Sequence, residues 1–229
     1  MTSFTHIIFD FDGTIADTES IFAQFDQTLL NEALKREGIQ SALTLQETRD
    51  LAGNNATSKL EIIAERYNFP AKNQLKLFLQ ERENKRDDLF RKHPPPIGTN
   101  LNTLLSHLDN KYAIATNKSG KRLQHDLNTM GMHSLFDIIV ACDPPLLKKP
   151  APDMLLTAAE KLNVAPENCA YIGDNVIDMQ AAINAKMTPV AFIIEGMENE
   201  QPRVKQLKEA GAEIIIDDFL ALLPYVIKP

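Results

Sequence analysis

The sequence predicts an α/β protein: a Rossmann-like parallel sheet flanked by helices, with a helical subdomain set in after the first strand. Three observations lead there. Short apolar runs rich in β-branched residues recur along the chain. They are continuous rather than alternating, as strands buried on both faces require. All but the first follow a stretch of helical period, and strands that alternate with helices build a parallel sheet through right-handed crossovers. The interval between the first run and the second breaks this rhythm and reads as helix alone.

Taken in order, the first strand is HIIF, residues 6–9. Later strands are expected at 112–116 (YAIAT), 137–141 (DIIVA), 170–173 (AYIG), 189–194 (PVAFII) and 213–216 (EIII). The interval holds helices near 18–37, 45–51, 55–67 and 72–92, with Leu75, Leu77, Phe78, Leu79, Leu89 and Phe90 as apolar faces. The charge run ERENKRDD (81–88) reads as a solvated helix face. HPPPIG (93–98) is stiff and reads as a linker. A structureless loop of that length would count against the assignment, but a folded helical subdomain removes the objection. The expected division is residues 1–16 and 94–229 as the α/β core, with 17–93 as the helical domain.

Composition narrows the class. The chain has 229 residues, 44% of them hydrophobic, enough for a sizeable core. Its net charge of −7 disfavours nonspecific binding to nucleic acid or to anionic membranes. An anionic substrate would therefore need local positive charge from a metal, a lysine or backbone amides. Cys142 and Cys169 show no ligand spacing and are expected to be buried thiols in a reducing compartment. No basic segment precedes an apolar one at the N-terminus, and no apolar run reaches membrane-spanning length. A cytoplasmic protein is expected, with no nucleic-acid or membrane partner.

In open parallel sheets, ligands bind beyond the carboxyl ends of the strands. The first strand ends at Asp10, with Asp12 just past it; the second ends at Thr116, followed by Asn117. Lys148 and Lys149 follow the third, and Asp174 and Asp178 follow the fourth. Alone, each has an ordinary use. Asp12-Gly13 suits a turn, Thr116-Asn117 a helix cap, the lysines a surface, and Asp174 with Asp178 a helix N-terminus. Together they make one coherent site. Asp10, Asp12 and Asp174 crowded on one rim would repel, and a hard divalent cation removes that penalty. An all-oxygen ligand set favours magnesium over zinc. A carboxylate, magnesium, Lys149 and hydroxyl or amide donors around one point describe a phosphoryl site.

Four segments in order, DFDGT (10–14), TN (116–117), KKPAPD (148–153) and GDNVID (173–178), make the chain resemble the haloacid dehalogenase superfamily. The helical insertion resembles that family's type 1 cap, so the resemblance spans nearly the whole chain. It implies Asp10 as a nucleophile forming an aspartyl-phosphate, and Asp12 as general acid and then base. It implies that Thr116 and Asn117 hold phosphoryl oxygens and that Lys149 neutralises charge, with Lys148 exposed. Magnesium would lie on Asp10, Asp174 and the Asp12 carbonyl, supported by Asp178, which would hold the metal's waters or Lys149. To act as an acid near neutral pH, Asp12 would sit in a closed, dry site.

Among the family's reactions, the residues favour a phosphatase acting on a small phosphorylated metabolite, similar to phosphoglycolate phosphatase. A dehalogenase would lack Asp12. A sugar phosphomutase would carry a histidine near Phe22 in the first cap helix, and phosphonate cleavage would want a cap lysine such as Lys35 or Lys59, for which a solvated helix position is the expectation. A non-enzymatic phospho-aspartate switch gathers similar residues at strand ends but lacks the helical insertion and Asp12. Within TRDLAGNNATSKL (48–60), Arg49, Asn54, Asn55 and Lys59 are candidates to read the leaving group, with an ordinary helix-connecting loop as the alternative.

Overall fold

The computed structural model describes residues 3–51, 56–109, 111–194 and 200–227. The chain runs β1 (His6–Phe9), α1 (Thr18–Arg36), α2 (Leu45–Arg49), α3 (Ala56–Arg66), α4 (Lys72–Lys92), α5 (Leu101–Ser106), β2 (Tyr112–Thr116), α6 (Gly120–Thr129) and β3 (Ile139–Ala141). It continues with α7 (Asp153–Lys161), β4 (Cys169–Gly173), α8 (Val176–Asn184), β5 (Thr188–Phe192), α9 (Glu200–Glu209) and β6 (Ile214–Ile216). It divides into two compact units, Met1–Asp17 with Pro96–Pro229, and Thr18–Pro95.

The first unit is built on a parallel six-stranded sheet in the order β3-β2-β1-β4-β5-β6. The expected α/β fold is therefore present. Alternate residues of each inner strand feed two separate cores, because side chains of a strand point to opposite faces. Ile7, Phe9, Ile114 and Ile172 join a cluster with Leu104 of α5 and Leu123 of α6. Ile8, Ala113, Ala115 and Tyr171 join a cluster with Leu155 of α7 and Ala181 of α8. Burial on both faces is why these strands read as unbroken apolar runs. β1 lies at the middle of the sheet, where the strand order reverses between β1 and β4. That reversal opens a crevice outside the strands' carboxyl ends.

The second unit is helical. Leu29, Leu30 and Leu34 of α1 pack with Leu60 and Ile63 of α3 and Phe78 of α4. The structure corrects the reading of α4. Leu77 and Leu79 are exposed, whereas Gln74, Phe78, Arg86 and Phe90 are buried. The inward face follows a four-residue step, and it draws one edge of the charge run inside. Lys59 is also buried, not solvated: its ammonium lies 2.9 Å from Asp26, which is fully enclosed. Arg82 Nε reaches the other Asp26 oxygen at 2.7 Å.

Candidate active site

The site grows out of the ends of β1, β2 and β4. Asp10 follows the last residue of β1, and its backbone N–H donates to Ile172 O at 2.8 Å, so β4 fixes its place. Beyond it the chain makes a tight loop in which Gly13 N and Ala16 N donate to Ala16 O and Phe11 O. Gly13 takes φ +74°, and a Cβ there would fall 2.5 Å from the Asp174 carboxyl. Glycine is needed twice over, for the left-handed backbone and for the close approach. At the end of β4, Gly173 makes the same allowance for Asp178, whose carboxyl fills the place of a Cβ.

Lys149 sits at the centre. Its ammonium donates to Asp178 Oδ1 at 2.7 Å and to Tyr171 Oη at 2.9 Å. The Tyr171 hydroxyl in turn donates a hydrogen bond to Ala115 O at 2.8 Å. Asn117 Oδ1 accepts from the Lys149 backbone N–H at 2.8 Å, which locks the lysine loop to the end of β2. Asp10 Oδ1 is buried, and its one close partner among the described residues is Lys149 Nζ at 2.9 Å, an ion pair off the usual hydrogen-bond angle. Burial pushes the Asp10 carboxyl up to about 6, with Lys149 pulling the other way. Burial also opposes the charge on Lys149, yet Asp10 and Asp178 outweigh it and hold the ammonium well above the ordinary lysine range.

Asp10, Asp174 and Asp178, all buried, each offer an oxygen within 4.8 Å of the others. Three carboxylates face Lys149 and Arg203, and the one negative charge left over is of the kind that a bound cation offsets. The three buried carboxylates and the Gly13 cradle beneath Asp174 fit a hard divalent ion bound through oxygen. Asp178 has both oxygens engaged, one by Lys149 and one by the Asn175 N–H at 2.9 Å. Asp174 Oδ2 accepts from Arg203, and Asp10 Oδ1 faces Lys149. Thr116 is buried at the end of β2, and its hydroxyl accepts from Lys118 N at 3.3 Å. Lys148 is exposed.

Residues 7–192 match the haloacid dehalogenase-like hydrolase family. The chain belongs to that family. A phosphoglycolate phosphatase of Psychrobacter arcticus is 26% identical over 97% of this chain and 95% of its own length. The (DL)-glycerol-3-phosphatase 2 of Arabidopsis thaliana is 29% identical over 82% of this chain and 79% of its own. A haloacid dehalogenase family hydrolase of Deinococcus radiodurans, solved with bound phosphate and sodium, shares the fold: TM-score 0.78, 24% identity, with 97% of this chain and 94% of that one covered. The family and the enzyme class expected from the sequence, a phosphoric monoester hydrolase, stand with these relatives.

Within this haloacid dehalogenase-like chain, Asp10, Thr116, Asn117, Lys149, Asp174 and Asp178 all lie at the ends of β1, β2 and β4 or in the loops beside them. Asp12 departs from expectation. The enclosure expected around it surrounds Asp10 instead; the Asp12 side chain is 35% exposed and pairs with Lys118 at 2.7 Å. Arg49 is exposed on α2 of the helical unit, and Asn54 and Asn55 lie outside the described residues. Sequence reasoning missed Tyr171, Lys118 and Arg203. Arg203 donates to the Asp174 carboxylate and to its backbone carbonyl. No local signal marks Arg203, which lies on α9, beyond β5. Tyr171 was legible in part, as the only polar side chain inside an otherwise apolar strand.

Proposed function

We propose that this chain is a magnesium-dependent phosphatase that hydrolyses a small phosphomonoester, phosphoglycolate-like or a sugar phosphate, through an aspartyl-phosphate. The observation that carries the reading is Asp10: a buried carboxylate at the end of β1, paired with Lys149 and within reach of two further carboxylates. Relatives named for phosphoglycolate and glycerol 3-phosphate support a small substrate. The proposed metal ligands are Asp10, Asp174 and the Asp12 backbone carbonyl, which none of the backbone hydrogen bonds of its loop occupies.

In this reading an Asp10 oxygen attacks phosphorus, and the bond to the leaving oxygen breaks. Asp12 gives that oxygen its proton. Thr116 and Asn117 hold the non-bridging oxygens, and Lys149, fixed by Asp178 and Tyr171, faces the developing charge. A water then attacks the phosphorus of the aspartyl-phosphate while Asp12 takes its proton, which releases inorganic phosphate and restores Asp10. Bound magnesium supplies the positive charge that lets a carboxylate approach an anionic phosphoryl group.

The test is a screen of phosphorylated metabolites with purified protein and magnesium, ranked by kcat/KM. At least one small phosphomonoester is expected to turn over, with activity falling at least about a thousandfold in Asp10→Asn. Undiminished turnover in that variant sinks the assignment. Arg49 is proposed to pair with a carboxylate on the leaving group. Arg49→Ala should raise KM for acidic substrates and spare neutral ones, and equal effects on both would refute that role.

A further inference from the structure

We infer that Lys118, clamped by Asp126, is a positioning residue that holds the Asp12 carboxyl by one oxygen and leaves the other to exchange protons with the leaving group and the water. The inference rests on the function proposed above and adds a residue to it.

The geometry is specific. Lys118 stands two residues past Thr116, the last residue of β2. Its backbone is pinned on both sides: its N–H donates to Thr116 Oγ1 at 3.3 Å, and its carbonyl accepts from Cys142 N at 3.0 Å. The ammonium lies over the Phe11 ring, 4.5 Å from its centroid. Nζ then donates to Asp126 Oδ2 at 2.6 Å and to Asp12 Oδ1 at 2.7 Å. Asp126 lies on α6, fully buried, and the Lys118 side chain is 9% exposed. A long flexible lysine is thus held at its backbone and at its ammonium. The Lys118 bond falls on Asp12 Oδ1 and does not engage Oδ2.

A buried carboxylate such as Asp126 needs a counter-ion, which alone would explain a lysine nearby. It does not explain why the ammonium also reaches the partly exposed Asp12. General acid catalysis depends on where the donor oxygen stands, since small misplacements of a reacting group lower rates steeply. With Oδ1 tethered, Oδ2 keeps a fixed bearing on the oxygen it must protonate.

The experiment compares two probes of similar shape, p-nitrophenyl phosphate and phenyl phosphate. The first leaving group departs without protonation, and the second needs a proton. In Lys118→Met the ratio of kcat/KM for phenyl phosphate to that for p-nitrophenyl phosphate should fall roughly tenfold to a hundredfold. Asp126→Asn, which touches neither probe nor Asp12, should shift the ratio the same way by less. In an Asp12→Asn background the ratio has already dropped, and adding Lys118→Met should leave it there. Circular dichroism and thermal melts confirm that each variant is folded. Equal loss on both probes in folded Lys118→Met, or a further fall of the ratio in the double variant, overturns the positioning role. The controls separate this from the underlying reading: if Asp10→Asn still hydrolyses both probes, the nucleophile assignment has failed, not the tether.

Discussion

Each unit of the molecule buries an aspartate beside a lysine, and the two clusters differ in their balance. In the helical unit, Asp26 faces Lys59 at 2.9 Å and Arg82 at 2.7 Å, and Arg82 also lies 4.5 Å over the Phe22 ring. One carboxylate has two cations, and each of its oxygens is engaged. In the α/β unit, Asp10 shares Lys149 with Asp178 and stands close to Asp174, which pairs with Arg203. The first cluster is complete as it stands. The second sets three carboxylates against Lys149 and Arg203, a negative excess among the described residues. A closed ion pair serves the fold, and an open one marks a place where a ligand completes the charge.

That contrast can be broken most directly by removing the carboxylates. Asp26→Asn should destabilise the protein by about 3–5 kcal/mol, since it leaves a buried lysine and a half-buried arginine without their counter-ion. Urea denaturation measures it, and a variant as stable as the parent would mean that the Asp26 cluster is not the completed structure described.

Asp10→Asn should act in the opposite sense in the presence of a chelator, and with a pH dependence. Burial raises the Asp10 carboxyl to about 6 from its ordinary 3.8. The folded state therefore binds the proton more tightly than the unfolded one. Stability from this group is greatest below about pH 4 and falls as pH rises through the window up to about 6. The loss is on the order of 2 kcal/mol. Between pH 4.5 and pH 7.5 the stability gap should move in favour of Asp10→Asn, and a gap that does not move would place the desolvation elsewhere. The smallest effect sharpens the same point. Magnesium at ten times its Kd should stabilise the parent by about 1.4 kcal/mol, a rise in Tm of roughly 3–6 °C. The rise in Asp10→Asn should be visibly smaller, and an equal rise would remove Asp10 from the metal site.

Much of the α/β unit was legible, and the misses have a common form. Ile7, Ile8 and Phe9 had to be a doubly buried strand, so Asp10 had to stand at its end. The same logic placed Thr116 after β2 and Asp174 after β4. Among the described residues no helix is long and apolar enough to cross a membrane, in line with the apolar run lengths. Lys59, Arg82 and Arg86 were misread as solvated because helical periodicity marks apolar side chains and gives no account of charged ones. The four-residue step from Phe78 through Arg82 and Arg86 to Phe90 carried the signal: residues so spaced share a helix face. Asp12 was expected in a dry pocket, and nothing local to DFDGT announces that Lys118 takes one of its oxygens.

The sequence by itself determined the parallel sheet, the order of its elements and the residues at its active rim. Runs of β-branched residues admit few arrangements, and a parallel sheet sends every strand's carboxyl end to the same edge. Only the tertiary structure decided which charges are buried and who shares them: Lys149 among Asp10, Asp178 and Tyr171, Lys118 between Asp12 and Asp126, Asp26 between Lys59 and Arg82. The burial of a charge is tolerated only where a partner meets it, and those partners come from distant parts of the chain that folding alone brings together.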